Sequence, residues 1–373
     1  PPAIIHLKDT CGSFAFDYQS IYSPAGLNPD NTGVIGLDDF DSSWGIWGHN
    51  LRKVLGANTE KVYATINGKA NDSQLCFSSG EMFRLIESYI TDNFGEKGKF
   101  RFVIAPDDTP YACTCPSCTA IGNTEKNATP AVTELILRLS QRFPRHFFFT
   151  TSYLTTQQVT DKQLPPNAGV IVSAINFPLR RIDGKDAKEK AFAGQLEQWK
   201  NVTKNIYIWD YINNFDDYLT PMPILKIARQ RLQFFKQHGA SGIFFNGSGY
   251  SYSSFDEMRT FVLSALLINP ELSVDNLTAS FFNQEYPAAK KWLYDYYTDL
   301  ENGTQSGKRL GIYASIRESE KAYLTPEKFI KFYDEMNDFV SNAKGKERKK
   351  LHELQTALSY TRMEMGREHS FDA

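Results

Sequence analysis

Short apolar runs recur along the chain at a spacing that admits few folds. The segments 14–18, 102–105, 147–151, 170–174, 206–209 and 243–245 are brief, β-branched or aromatic, and apolar at consecutive rather than alternate positions. A strand reads this way when it is buried on both faces, because neither side meets water. Longer segments of helical character lie between the runs, at 80–92, 130–142, 186–202, 223–237 and 254–268. Ser78 or Ser79 can cap the first, Pro130 sits near the start of the second, and Gly239 follows the fourth where a helix is expected to stop.

Strand–helix alternation of this kind implies an α/β fold with a parallel sheet. Over residues 1–270 it suits a (β/α)8 TIM-type barrel, which takes about 250 residues. A doubly wound open sheet is the alternative, but no Gly-rich phosphate-binding turn follows an early strand. After residue 270 the pattern changes to charged, amphipathic segments at 277–286, 288–300, 306–324, 326–342 and 346–368. Residues 271–373 are therefore expected to form a helical C-terminal subdomain.

Charge excludes some functions. The 41 basic and 43 acidic residues nearly balance, which argues against a nucleic-acid partner. The longest apolar stretch, 261–268, is too short for a membrane span. The chain starts Pro1-Pro2 without Met or a signal peptide, and reads as a piece of a longer protein. Aromatic content is high at 14%, with 27 Phe and 19 Tyr, and a Phe-rich core absorbs most of it. The segments of Trp44, Trp47, Trp209 and Tyr250 lie instead beside Gly, Asn and Asp, where loops are expected and rings can stack on sugar faces.

In a parallel α/β barrel the working site lies at the C-terminal ends of the strands. The polar residues following the runs are Asp17 and Tyr18; Asp107 and Asp108; Tyr153; Asn176; Trp209, Asp210 and Tyr211; and Asn246, Ser248 and Tyr250, with His49 after Trp47. Acids, amides, aromatics and one His together suit a neutral, hydroxyl-rich ligand. Asp107, Asp108 and Asp210 are the candidate catalytic residues; His49, Trp47, Tyr153, Asn176, Trp209, Tyr211, Asn246 and Tyr250 are the candidate substrate-binding ones. Adjacent carboxylates raise each other's proton affinity. That suits a general acid, or an acid beside a group that orients an acetamido substrate. The structural alternative for Asp107-Asp108-Thr109-Pro110 is a turn.

Cys113, Cys115 and Cys118 form C-x-C-x-x-C, and Cys76 lies on an earlier segment. Four thiols could clip two loops around a structural zinc. One disulfide from Cys76 plus two free thiols is the rival. Nothing points to a cofactor for catalysis, and Cys11 has no assigned partner.

The segments Trp47-Gly48-His49-Asn50, Gln74-Leu75-Cys76, Ala105-Pro106-Asp107-Asp108 with the cysteine cluster, and His238-Gly239-Ala240-Ser241-Gly242-Ile243-Phe244 resemble, in order and spacing, domain of unknown function 4838, related to glycoside hydrolase family 163 and abundant in Bacteroides-type gut bacteria. The resemblance covers about residues 10–300 and implies a glycosidase-type barrel. It implies an endo-β-N-acetylglucosaminidase-like, retaining activity on complex N-glycans of glycoproteins. It also implies secretion, a periplasmic place or surface display, and a further domain N-terminal to the barrel. On the family pattern Asp108 is the acid and Asp107 its variable neighbour. Many relatives carry a Glu shortly after the Gly-Ile-Phe strand, where this chain has Asn246. A glycan-binding barrel that has lost an acid is therefore the second reading. An exo-hexosaminidase, or a uronic-acid-releasing enzyme using Arg180 and Arg181, is the third.

Overall fold

A computed structural model describes residues 14–304 and 308–370. Pro1-Pro2, Cys11 and the expected helix start at Ser306 lie outside the described residues. Among the described residues there are nine strands: β1 (Tyr18–Tyr22), β2 (Trp44–Ile46), β3 (Tyr63–Ile66), β4 (Lys69–Leu75), β5 (Arg101–Val103), β6 (Phe147–Ser152), β7 (Ala168–Ser173), β8 (Asn205–Tyr211) and β9 (Gly242–Asn246). Seven form one parallel sheet in the order β1-β9-β8-β7-β6-β5-β2, and β3 and β4 make a separate antiparallel hairpin.

The sheet is strongly curled. Trp44 of β2, at one edge, lies with its ring 6.4 Å from Tyr207 of β8, and Tyr18 of β1 stacks on Tyr207 at 5.2 Å. Across the gap between the edge strands, Trp44 Nε1 donates to the Tyr18 hydroxyl at 2.7 Å. Among the described residues no backbone ladder joins β1 to β2, so the expected eight-stranded closed barrel is represented by a seven-stranded curl with a side-chain seam. Tyr18, Trp44, Val103, Phe149, Ile171, Tyr207 and Phe244 fill its inside. Alternation sends the neighbours Val170, Val172, Ile206, Ile208, Ile243 and Phe245 outward against the helices.

Two expectations need correction, one strand and one loop. The first strand is 18–22, not 14–18, because its middle is polar yet buried: Gln19 is 2% exposed, and its backbone N–H donates to Asp38 at 2.9 Å. Asp17 and Tyr18 therefore sit at the lower end of β1, and Tyr22 occupies the mouth end. The Trp44 segment, expected as a sugar-facing loop, is strand β2, and Trp44 is 7% exposed. Gly45 allows this: a side chain there would collide with the Phe102 ring.

The expected helices appear as Gly80–Phe94, Thr129–Arg142, Ala187–Lys200, Leu225–Gln237 and Asp256–Ile268. Ser79 caps the first, accepting from the Glu81 and Met82 N–H groups, and Gly239 takes φ +83° just past the fourth. Beyond residue 270 the described elements are all helical: Val274–Glu285, Lys290–Gly303, Ile316–Ala322, Pro326–Asn342 and Gly345–Ser370. Their apolar faces, including Phe329, Phe332, Met336, Leu351 and Leu358, share one buried cluster with the outer residues of β7, β8 and β9. No helix among the described residues is long and apolar enough to cross a membrane.

Candidate functional site

The segments leaving the sheet converge at the C-terminal ends of the strands. After β5 the chain turns at Pro106, which brings both acids of the Asp107-Asp108 pair to the mouth in different surroundings. Asp107 is held: its carboxylate accepts from Arg52 Nε at 2.7 Å, and its side chain is 15% exposed. Gln74, at the end of β4, fixes its backbone by accepting from the Asp107 N–H at 3.0 Å and donating to the Asp107 carbonyl at 3.2 Å. The same Gln74 amide reaches Thr109 and Tyr111, pinning the turn along its length.

Asp108 is exposed and accepts a hydrogen bond from the Tyr153 hydroxyl. Burial pushes that hydroxyl's pKa up, and the charge and hydrogen bond of Asp108 push it further; Tyr313 adds to the effect. Tyr153 thus stays a neutral donor at ordinary pH. His49 joins the group. Its Nδ1 contacts the Pro106 carbonyl at 2.5 Å, and its ring lies 6.1 Å from that of Tyr153. A carbonyl only accepts, so Nδ1 carries the proton and Nε2 is left as an acceptor in the neutral ring.

An aromatic floor lies inside the curl. Trp47 stacks on Trp209 at 4.9 Å, and both pack on Phe244, at 4.4 and 5.1 Å. Both indoles remain half-buried. Gly48 turns with φ +57° where a side chain would meet the Trp209 ring. Tyr211, one inward position above Trp209, contacts Ser173 Oγ at 3.4 Å, and burial pushes its hydroxyl up to about 12. Asn246 closes β9 level with Tyr211 in the ladder.

Other expected residues lie elsewhere. Asp210 is not at the mouth. With Tyr207, Trp209 and Tyr211 facing inward, alternation turns it into the helix layer, where it is 1% exposed and paired with Arg231. A carboxylate there has no route to a ligand in the cleft. Asn176 is exposed and lies in a hollow with Gln157 and the helix Ala187–Lys200, whose lining does not include Asp108. Tyr250 is 69% exposed at the rim and donates to Asp41 at 2.8 Å. Arg180 is engaged by Asp183, Asp186 and Glu189, which cap or flank the Ala187–Lys200 helix.

Arg52, Gln74 and Tyr313 escaped the reading of the sequence. Tyr313 belongs to the connection before the Ile316–Ala322 helix and reaches the mouth because that connection is sewn to the end of β8. Asn214 and Ala314 exchange hydrogen bonds of 2.7 and 3.0 Å, and the Phe215 N–H donates to the Ile312 carbonyl at 2.7 Å. Tyr313 is 63% exposed, and its ring lies 5.9 Å from Phe215. Gln74 carried a signal, its place beside Cys76; Tyr313 carried none.

The four cysteines Cys76, Cys113, Cys115 and Cys118 come together beneath the Asp107 turn as free thiols, every sulfur within 4.8 Å of the others. None of the four is joined in a disulfide here, the arrangement that the sequence left open as the rival to a structural zinc.

No curated protein matches the chain in sequence. Among solved structures, an O-GlcNAc hydrolase variant of Thermobaculum terrenum aligns over 76% of this chain and 64% of its own, at 15% identity and a TM-score of 0.39. A GH138 enzyme targeting pectin rhamnogalacturonan II aligns over 93% and 56%, at 8% identity and a TM-score of 0.44. The chain thus spans less than two thirds of either structure. Residues 49–299, more than half of the chain, match the family described as Domain of unknown function (DUF4838); from His49 through the Asp107-Asp108 turn and the cysteine cluster to the helices that follow β9, the chain belongs to that family.

Proposed function

We propose that the protein is a glycoside hydrolase acting on N-acetylglucosamine-containing glycans, with Asp108 as general acid and base and Asp107 orienting the substrate's acetamido group. The observation that carries this reading is the unequal pair: Asp108 exposed beside Tyr153, Asp107 clamped by Arg52 and Gln74. The Trp47–Trp209 floor below them offers a stacking surface to a pyranose ring.

The removal of Asp210 from the cleft alters the mechanism. Two-carboxylate retaining hydrolysis needs a nucleophilic acid about 5 Å from the acid/base. With Asp210 paired to Arg231, the nucleophile we assign is the substrate's own acetamido oxygen. That oxygen bonds to C1 as the C1–O glycosidic bond breaks, and Asp108 gives its proton to the departing oxygen. The cyclic oxazolinium is then opened by water, which bonds to C1 and returns a proton to Asp108, so the anomeric configuration is retained. Asp107, held in place, accepts from the amide N–H and aims the acetamido oxygen at C1.

The finer proposals follow the family resemblance. The curled sheet is read as a TIM-type barrel within residues 1–270, with 271–373 as a helical subdomain buttressing it. The substrates are complex N-glycans of glycoproteins, cut endo-fashion. The protein works secreted, in the periplasm or at a bacterial cell surface, and a further domain precedes the barrel.

The test is hydrolysis of complex-type glycoproteins together with a series of N-acyl substrates of rising fluorination. Acetamido attack predicts a rate that falls steeply as the acyl oxygen loses basicity; an unchanged rate would refute it. Asn246, at the mouth end of β9 where many relatives carry a Glu, favours one competing reading, a glycan-binding protein without turnover. Binding without product across a broad glycan panel would establish that instead.

A further inference from the structure

We infer that Cys76, Cys113, Cys115 and Cys118 bind one structural zinc ion, and that this ion clips the exit of β4 to the loop that bears Asp107 and Asp108. The geometry of the sulfur atoms carries the inference. Four thiolates about 2.3 Å from a tetrahedral zinc stand about 3.8 Å from one another, the edge of that tetrahedron. Cys76 Sγ lies 3.7 Å from Cys115 Sγ and 3.8 Å from Cys118 Sγ, and all four sulfurs fall within 4.8 Å of each other. A disulfide plus two thiols would instead draw one pair together and leave the others apart.

The surroundings suit ligand sulfur. The Thr65 N–H donates to Cys113 Sγ at 3.2 Å, and the Cys118 N–H donates to Cys115 Sγ at 3.4 Å. Ser78 Oγ lies 3.0 Å from Cys118 Sγ. These contacts orient the sulfurs and offset part of the charge that thiolates would carry. Cys76, Cys113 and Cys118 are buried, and Cys115 is half-buried. Four protein sulfurs fill a tetrahedral shell and leave no position for water or substrate, so the ion is structural.

Its place gives it a consequence. Cys76 comes two residues after Gln74, whose amide holds the Asp107 turn on both its N–H and its carbonyl. Of the other three ligands, Cys113 and Cys115 come from the loop a few residues beyond Asp108, and Cys118 from the short helix Pro116–Ile121 that follows it. The hairpin of β3 and β4 forms no part of the main sheet; Ala64 and Leu75 seat it in a buried apolar cluster, and the Thr114 N–H donates to the Thr65 carbonyl at 2.8 Å, so the ion would add to contacts already made between hairpin and loop. A zinc bridge sets the hairpin, and with it Gln74, against the acid-bearing turn.

Elemental analysis of the full chain, expressed with zinc supplied and purified without chelator, tests this independently of any glycan activity. About one zinc per chain is expected, with a loss of at least tenfold in Cys115→Ser, the substitution at the least buried ligand. Cobalt reconstitution is expected to give the visible absorption of a tetrahedral thiolate site. Zinc-free protein with four thiols open to a thiol reagent would overturn the inference, and so would a disulfide at Cys76 found by mass spectrometry or an iron–sulfur spectrum. The wild-type metal content decides the matter even if the variant fails to fold.

Discussion

Arg231 meets Asp210 through two guanidinium nitrogens, at 2.9 and 2.5 Å, with both side chains 1% exposed. The same guanidinium donates to the carbonyls of Phe177 and Pro178 and lies over the Phe177 ring at 4.5 Å. The pair thus fastens β8, the connection after β7 and the Leu225–Gln237 helix in one buried knot. Removing one partner of a buried pair leaves an uncompensated charge, at a cost of about 3–5 kcal/mol. Asp210→Ala is expected to lose about that much in denaturant unfolding while turnover per folded molecule stays within about twofold. A stable Asp210→Ala protein that had lost hydrolysis would return Asp210 to the chemistry.

The two adjacent acids are expected to fail differently. An acid that protonates the leaving oxygen matters most when the leaving group is poor, and positioned proton transfer contributes about 10²–10⁴-fold. Asp108→Asn should therefore lose about that factor on a natural glycan and far less on a 4-nitrophenyl glycoside. Asp107→Asn should lose activity on both substrates alike, because aiming the acetamido oxygen is needed whatever departs. Asp108 is exposed, so its substitution should leave stability within about 0.5 kcal/mol. Equal losses for both variants across leaving groups would undo the division of roles.

The sequence made the strand–helix alternation legible wherever consecutive strand residues were apolar, as in β7 and in the three phenylalanines that open β6. It misled at β1, where Gln19 is a buried polar residue whose partners, Asp38 and Gly36, come from further along the chain. It misled again at β2, three residues around a glycine that look like a loop until Phe102 is set against them. Asp210 and Trp209 shared one strand end, and only the direction in which Tyr207 points decides which of them enters the cleft. The cysteine cluster was readable because its chemistry is carried by residue type. Tyr313 was not, because it enters the site through hydrogen bonds from Ala314 and Ile312 to residues about a hundred positions earlier.

On the proposed function, Tyr313, close enough to Tyr153 to affect its hydroxyl, would give the helical C-terminal part of the chain a direct stake in ligand binding. Its side chain is 63% exposed, and its ring lies 5.9 Å from that of Phe215, so little stability depends on it. Tyr313→Ala is expected to shift unfolding by no more than about 0.5 kcal/mol. Losing one aromatic contact worth about 0.5–1.5 kcal/mol should raise KM by about two- to tenfold with kcat little changed. An unchanged KM would place Tyr313 outside the bound glycan's reach.

Glu301 links the C-terminal helices to the Leu225–Gln237 helix beside the curled sheet in a pH-dependent way. Its carboxylate accepts from the Leu225 and Lys226 N–H groups at 2.8 and 3.0 Å, where the Leu225–Gln237 helix begins. Burial raises its pKa from 4.5 to about 7, outweighing the two backbone hydrogen bonds that lower it. Between those values the folded protein keeps a proton that the unfolded chain has released. Stability from this group is therefore fully present below pH 4.5 and is lost as pH rises towards 7, by at most about 1.4 kcal/mol per pH unit. Glu301→Gln removes the titration. Denaturant unfolding at pH 5 and pH 7 should show wild type losing more stability over that interval than the variant does. Parallel pH profiles for the two proteins would show that Glu301 is already ionised in the fold.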